Sequence, residues 1–239
     1  GDLEGRAPVL RSGARPGQVL THAGAIGRAA AGHAVLAAGA VDGDRAAHSA
    51  AVPAGGVDVA ATPSAAESGG ADRPDVGVPG GGDATAVRPL GGDADDAAVS
   101  AVVAAFLRPA PPYAAGPAAA LAGAGAMMDV SDGLLRDAGR MARASGVELV
   151  LDPVAESLAA DLAALAPVAR RLGADPAAWV LTGGEDHGLL ATFPADRPLP
   201  AGFRRLGTVV AAGAEGPRVV TSLQDAAHAG VPGWDHFRA

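Results

Sequence analysis

The chain has no cysteine and little aromatic content: Cys 0 and aromatics at 3% of 239 residues. Without cysteine there is neither a disulfide framework nor thiolate chemistry, and cysteine-ligated metal sites are excluded with them. Scarce aromatics leave the core to Val, Leu and Ala, which bury less area per residue, and to close backbone approach at glycine. No apolar run is long enough for a membrane span, and no signal peptide is visible. Basic residues are outnumbered, 18 Lys+Arg against 26 Asp+Glu for a net charge of −8. That balance gives no electrostatic footprint for nucleic acid. It still permits phosphate substrates, because magnesium mediates between carboxylates and phosphates. No Walker-type loop, GxSxG elbow or dinucleotide fingerprint occurs. The six histidines form no metal-ligand cluster, and His187 alone reads as structural.

Local signals divide the chain into three parts. In 1–40, Pro16-Gly17 is a turn, Gln18 to His22 a strand, and Gly27 to Leu36 an Ala-rich helix closing near Gly39. From 41 to 95, Ala, Gly, Pro, Asp and Ser dominate without a period. Such a stretch buries too little apolar surface to offset its ordering entropy, which predicts a disordered insertion. From 96 to 239 order returns. Helices are predicted over 97–107, 113–123 and 155–172, the last interrupted at Pro167. Strands are predicted at Ala126–Val130, Val147–Leu151, Trp179–Leu181, His187–Phe193 and Leu206–Ala211. After Val130, Ser131 or Asp132 is expected to cap a helix with Leu134, Leu135, Ala138, Met141 and Ala142 on one face, ending at Ser145-Gly146. The alternation of strands and helices indicates an α/β or α+β domain. Gly1-Asp2-Leu3 reads like mid-sequence, so the chain is expected to be a piece of a longer protein.

Four motifs carry chemistry. Asp129-Val130-Ser131-Asp132-Gly133 places two carboxylates, three residues apart, where a strand passes into a helix. They can share a hard cation, with helix-start amides and Ser131 beside them for phosphate; equally, the motif can be a plain N-cap. Leu181-Thr182-Gly183-Gly184-Glu185-Asp186 brings a glycine pair and two acids to the end of an apolar run, as a ligand turn or as a turn with solvated acids. Arg11, in Leu10-Arg11-Ser12-Gly13-Ala14, suits phosphate pairing or an ordinary solvated position. Gly233-Trp234-Asp235-His236-Phe237 offers Trp234 for stacking on a flat heterocycle or as a core plug.

Taken together and in this order, the motifs resemble thiamine-monophosphate kinase, a family of the aminoimidazole-ribonucleotide synthetase superfamily. The resemblance covers Gly1-Asp2-Leu3, the Leu10–Gly17 stretch and everything from about Ala97 onward, and fails across 41–95. It implies the carboxy-terminal α/β sandwich domain of that superfamily. It also implies ATP-dependent phosphorylation of thiamine monophosphate to thiamine diphosphate, by direct in-line transfer. Magnesium would be held by Asp129 and Asp132, ATP by Arg11 and Ser131, and the thiamine part by Glu185 and Trp234. The resemblance further implies a cytoplasmic enzyme that binds no nucleic acid or membrane. Its homodimer forms through an amino-terminal domain that is missing here, so this chain alone is expected to be inactive. The family commonly follows Gly-Gly-Glu-Asp with Tyr-Glu, where this chain has His187-Gly188. Two alternatives stand beside this reading. One is another ATP-binding member of the superfamily, like selenophosphate synthetase or the hydrogenase-maturation protein. The other is a non-catalytic module that binds a nucleotide or a partner.

Overall fold

A computed structural model describes residues 5–39 and 93–228. The expected insertion falls on 41–95, so all of it before residue 93 lies outside the described residues, as do Gly1-Asp2-Leu3 and the Gly233–Phe237 motif.

The elements run β1 (Gln18–Ala23), α1 (Arg28–Ala37), α2 (Asp93–Leu107), α3 (Ala115–Leu121), β2 (Ala126–Val130), α4 (Leu134–Ser145), β3 (Val147–Leu151), α5 (Val154–Ser157), α6 (Ala159–Leu172), α7 (Pro176–Thr182), β4 (Gly188–Pro194), β5 (Phe203–Ala211) and β6 (Arg218–Val220), with a 3-10 turn at Ala226–His228. One six-stranded sheet has the order β2-β4-β1-β5-β3-β6. Every pairing is antiparallel except β3 with β6. No helix among the described residues is long and apolar enough to cross a membrane.

Side chains alternate across each strand, and both faces of the central strands are buried. Leu20, Val130, Leu149, Leu190 and Leu206 point toward the helices, where Val35, Val102, Leu134, Met141, Leu165 and Leu181 meet them. On the other face, Val19, Ala23, Ala191, Phe193 and Phe203 pack with Ala115 and Ala119 of α3. Phe193 and Phe203 meet edge-on at 5.2 Å. The expected α/β sandwich is present, thickly layered on one face and thinly on the other.

Several local expectations are corrected. Trp179–Leu181 is not a strand but part of α7, because Asp175 accepts a hydrogen bond from the Ala177 N–H and Pro176 opens the helix with its fixed φ. Pro167 does not interrupt its helix; the break falls at Leu158 (φ −126°), and α6 continues through the proline. A missing N–H costs one hydrogen bond, which the burial of Leu165, Val168 and Ala169 offsets. Helix α2 starts at Asp93 rather than Ala97, with Asp95 and Asp96 in its first turn near Arg170 (3.7 Å) and Arg171 (3.6 Å) of α6. Strand β6, three residues long, has too little pattern to be read from sequence.

Candidate functional site

Two turns meet at one end of the sheet. The first joins β2 to α4 through Ser131-Asp132-Gly133; the second joins α7 to β4 through Gly183 to His187. The Glu185 N–H donates to the Ser131 carbonyl at 2.9 Å. Glycine permits this approach. A Cβ on Gly184 would run into the Ser131 carbonyl oxygen, and one on Gly133 would sit 2.6 Å from the Thr182 carbonyl oxygen. Gly133 also holds φ 112°, which side chains rarely adopt. So the two motifs, some fifty residues apart in sequence, form one locked crossing.

Within the first turn the two acids part company. Asp129 lies on the edge strand, its side chain 61% exposed. Asp132 is 15% exposed and faces Arg140, with Oδ2 2.5 Å from the guanidinium and 3.9 Å from Arg136. The expected cap of α4 by Ser131 or Asp132 is not made. The N-cap is Gly133, and no side chain caps it. Instead Asp137, inside the helix, accepts the Asp132 N–H at 2.9 Å and binds Arg140 at 2.6 Å. Burial pushes the Asp137 carboxyl above its usual range, while the Asp132 N–H and Arg140 pull it back.

The second turn divides its acids likewise. Glu185 is 33% exposed, whereas Asp186 turns inward. Asp186 Oδ1 accepts the Ala29 N–H at 2.9 Å and so serves the start of α1, which has no side-chain cap of its own. Burial raises its pKa, opposed by the backbone N–H groups of Ala29, Gly27 and Arg28. Glu185 (φ 70°) and His187 (φ 51°) both have left-handed backbone. At residues other than glycine this costs on the order of 1–3 kcal/mol each, and such strain persists where surrounding structure enforces it. The His187 ring lies between the two outward acids, with Nδ1 3.8 Å from Asp129 Oδ2 and Nε2 3.8 Å from Glu185 Oε2.

The structure therefore brings Asp129, Ser131, Asp132 and Glu185 to one place. Arg11 is elsewhere. Its carbonyl accepts the Ser145 hydroxyl at 2.9 Å, at the far end of α4. Its neighbour Leu10 accepts the Met127 N–H at 3.3 Å, so Arg11 lies beside the start of β2 and the end of α4. Trp234 lies outside the described residues. Sequence reasoning took His187 as structural; its ring stands between Asp129 and Glu185. Sequence reasoning missed Arg140 and Asp137, whose i, i+3 spacing on α4 was the available clue. No group of three or more His, Cys, Asp or Glu among the described residues is arranged to hold a metal by itself.

Residues 75–191 match the family described as AIR synthase related protein, C-terminal domain. The thiamine-monophosphate kinase of Mycobacterium tuberculosis (strain CDC 1551 / Oshkosh) is 38% identical over 238 residues, covering 99% of this chain and 52% of that protein. The chain thus spans about half the length of the curated relatives it matches. Thiamine monophosphate kinase from Aquifex aeolicus shares the fold with TM-score 0.56 at 22% identity, over 90% of this chain and 52% of that one. AaThiL complexed with AMPPCP and TMP gives TM-score 0.57, also at 22% identity, over 96% and 54%.

Proposed function

We propose that this chain forms part of an enzyme that phosphorylates thiamine monophosphate to thiamine diphosphate with ATP. The observation that carries the proposal is the 38% identity to a thiamine-monophosphate kinase across nearly the whole chain. Two further facts support it. A neighbour of the same fold is complexed with AMPPCP and TMP. And the acidic motifs of this chain meet at one crossing with two carboxylates turned outward.

In the reaction a phosphate oxygen of thiamine monophosphate attacks the γ-phosphorus of ATP in line. A new P–O bond forms, the bond to the bridging oxygen of ADP breaks, and ADP leaves with the electron pair. A phosphate oxygen needs no strong base, so positioning and charge neutralisation dominate. Asp129 fits a magnesium ligand: it is an exposed carboxylate, and magnesium takes one or two such ligands beside water and phosphate oxygens. Asp132 fits that role once Arg140 releases its Oδ2. Bound there, magnesium would neutralise phosphate charge during transfer. Ser131, in the turn before α4, would donate its hydroxyl to an ATP phosphate. Arg11 would reach ATP from the opposite end of α4. Glu185 and Trp234 are assigned to the thiamine part, where Trp234 would stack on a ring for roughly 0.5–2 kcal/mol.

The test is to incubate the protein as its gene encodes it with ATP, magnesium and thiamine monophosphate. The expected outcome is thiamine diphosphate and ADP in equal amounts. ADP with free phosphate and no thiamine diphosphate would point to another ATP-using member of the family.

A further inference from the structure

We infer that His187 is a specificity-determining residue that contacts the phosphate of the acceptor substrate and not ATP. This rests on the kinase reading above and extends it to a residue without an assigned role.

The backbone supplies the first argument. At φ 51° His187 sits where glycine would be unstrained and asparagine tolerated. The side chain is 36% exposed, and its ring faces Asp129 and Glu185. Asp186 before it is buried and bound to the start of α1, so the backbone at 187 is anchored from within.

Charge supplies the second argument. Asp129 and Glu185 are both outward carboxylates, each with an oxygen 3.8 Å from the imidazole. An anionic acceptor approaching them meets like charge on two sides. The ring between them presents an N–H in either tautomer and is the bridging group that can donate to an incoming phosphate oxygen. Glu185 is assigned to the thiamine part and Asp129 to metal and phosphate. A group spanning the two stands where the phosphate-bearing arm of the acceptor must pass. A donor here acts first on the acceptor, because the side chains assigned to hold ATP itself, Ser131 and Arg11, are not the ones the ring bridges.

The experiment compares wild type, His187→Gly and His187→Asn in the protein as encoded, measuring melting temperature and both Michaelis constants. His187→Gly relieves the backbone while removing the ring, so its melting temperature should equal or exceed wild type. Its KM for thiamine monophosphate should rise tenfold or more, with KM for ATP within twofold. His187→Asn retains a donor and tolerates the left-handed backbone, so its KM for thiamine monophosphate should fall between the other two. If both variants keep that KM within twofold of an active wild type, the assignment of His187 is overturned while the kinase reading stands. Equal rises in both constants overturn it as well, because they mark a general displacement of the turn. A wild type that neither binds nor phosphorylates thiamine monophosphate overturns the kinase reading and, with it, this inference.

Discussion

In the β2–α4 turn, Asp129 faces outward while Asp132 closes onto Arg140; in the α7–β4 turn, Glu185 faces outward while Asp186 closes onto the start of α1. The two turns look alike as sequence, each a few small residues with a pair of acids. In space each turns one acid outward and ties the other to a neighbour. They differ in how they are held. The first is tied by a largely covered ion pair, the second by burial and by left-handed backbone at Glu185 and His187. An acid in a motif is thus no guide to its role until its partner is known. The partner of Asp186 is 157 positions away.

Removing an outward acid should have the largest effect. Asp129→Asn is expected to lower turnover by about a hundredfold or more while leaving the melting temperature nearly unchanged, the pattern of lost charge neutralisation. Asp132→Asn, measured alongside, should lower turnover less and stability more, since it strips a partner from Arg140. Equal losses of turnover would make Asp132 a full metal ligand and remove the asymmetry of the first turn.

Acid should separate the turns next. His22 is fully buried beneath the second turn, where a Cβ on Gly188 would strike its ring. Burial, with the Arg204 charge adding to it, lowers its pKa from 6.5 to about 3. A folded value below the unfolded one means that the unfolded chain binds more protons between those limits. His22 therefore contributes stability that is present above pH 6.5 and is lost as pH falls toward 3. Over two pH units below 6.5 the loss is about 3 kcal/mol. Asp137 in the first turn and Asp186 in the second have raised values, so their contributions run the other way, growing as pH falls through the raised values. Urea unfolding at pH 6.5 and 4.5 should therefore show a steeper acid loss in wild type than in His22→Leu. Parallel losses would show that His22 does not carry the acid sensitivity.

Steric tests of the crossing come third. Gly184→Ala should cost about 2 kcal/mol in urea unfolding, because the new methyl forces the Ser131 carbonyl aside. A loss below roughly 0.5 kcal/mol would mean the turns yield easily and are not locked. The smallest effect belongs to Asp175→Ala, which removes the α7 cap ahead of the second turn and should cost about 1 kcal/mol in the same measurement. No loss there would detach the order of α7 from its cap.

Much of the fold was legible. The strands at Gln18–Ala23, Ala126–Val130 and Val147–Leu151 follow from short apolar runs between turn residues, and α4 from its periodic face. The failures have physical causes. Trp179–Leu181 is an apolar triplet that fits either period, and Asp175-Pro176, which decides for helix, lies just upstream. The α4 start misled because Asp137 works backward from inside the helix, a contact no N-cap rule anticipates. At the site, the motifs singled out Asp129, Ser131, Asp132 and Glu185, which the structure brings to one crossing. They did not give the inward turn of Asp186 or the bridging place of His187, because both depend on how β4 enters the sheet after the crossing.

The division of the four acids is the centre of the account, and one side-by-side measurement tests it. Turnover and unfolding free energy would be determined for Asp129→Asn, Glu185→Gln, Asp132→Ala and Asp186→Ala in the protein as encoded. The account predicts that the first two lose turnover or acceptor affinity at near-normal stability. It predicts that the last two lose about 1–2 kcal/mol of stability each, as removal of a charge partner and of a helix cap should cost. If Asp186→Ala abolished turnover at full stability while Glu185→Gln remained fully active with normal acceptor affinity, the outward and inward roles would be reversed and the account contradicted.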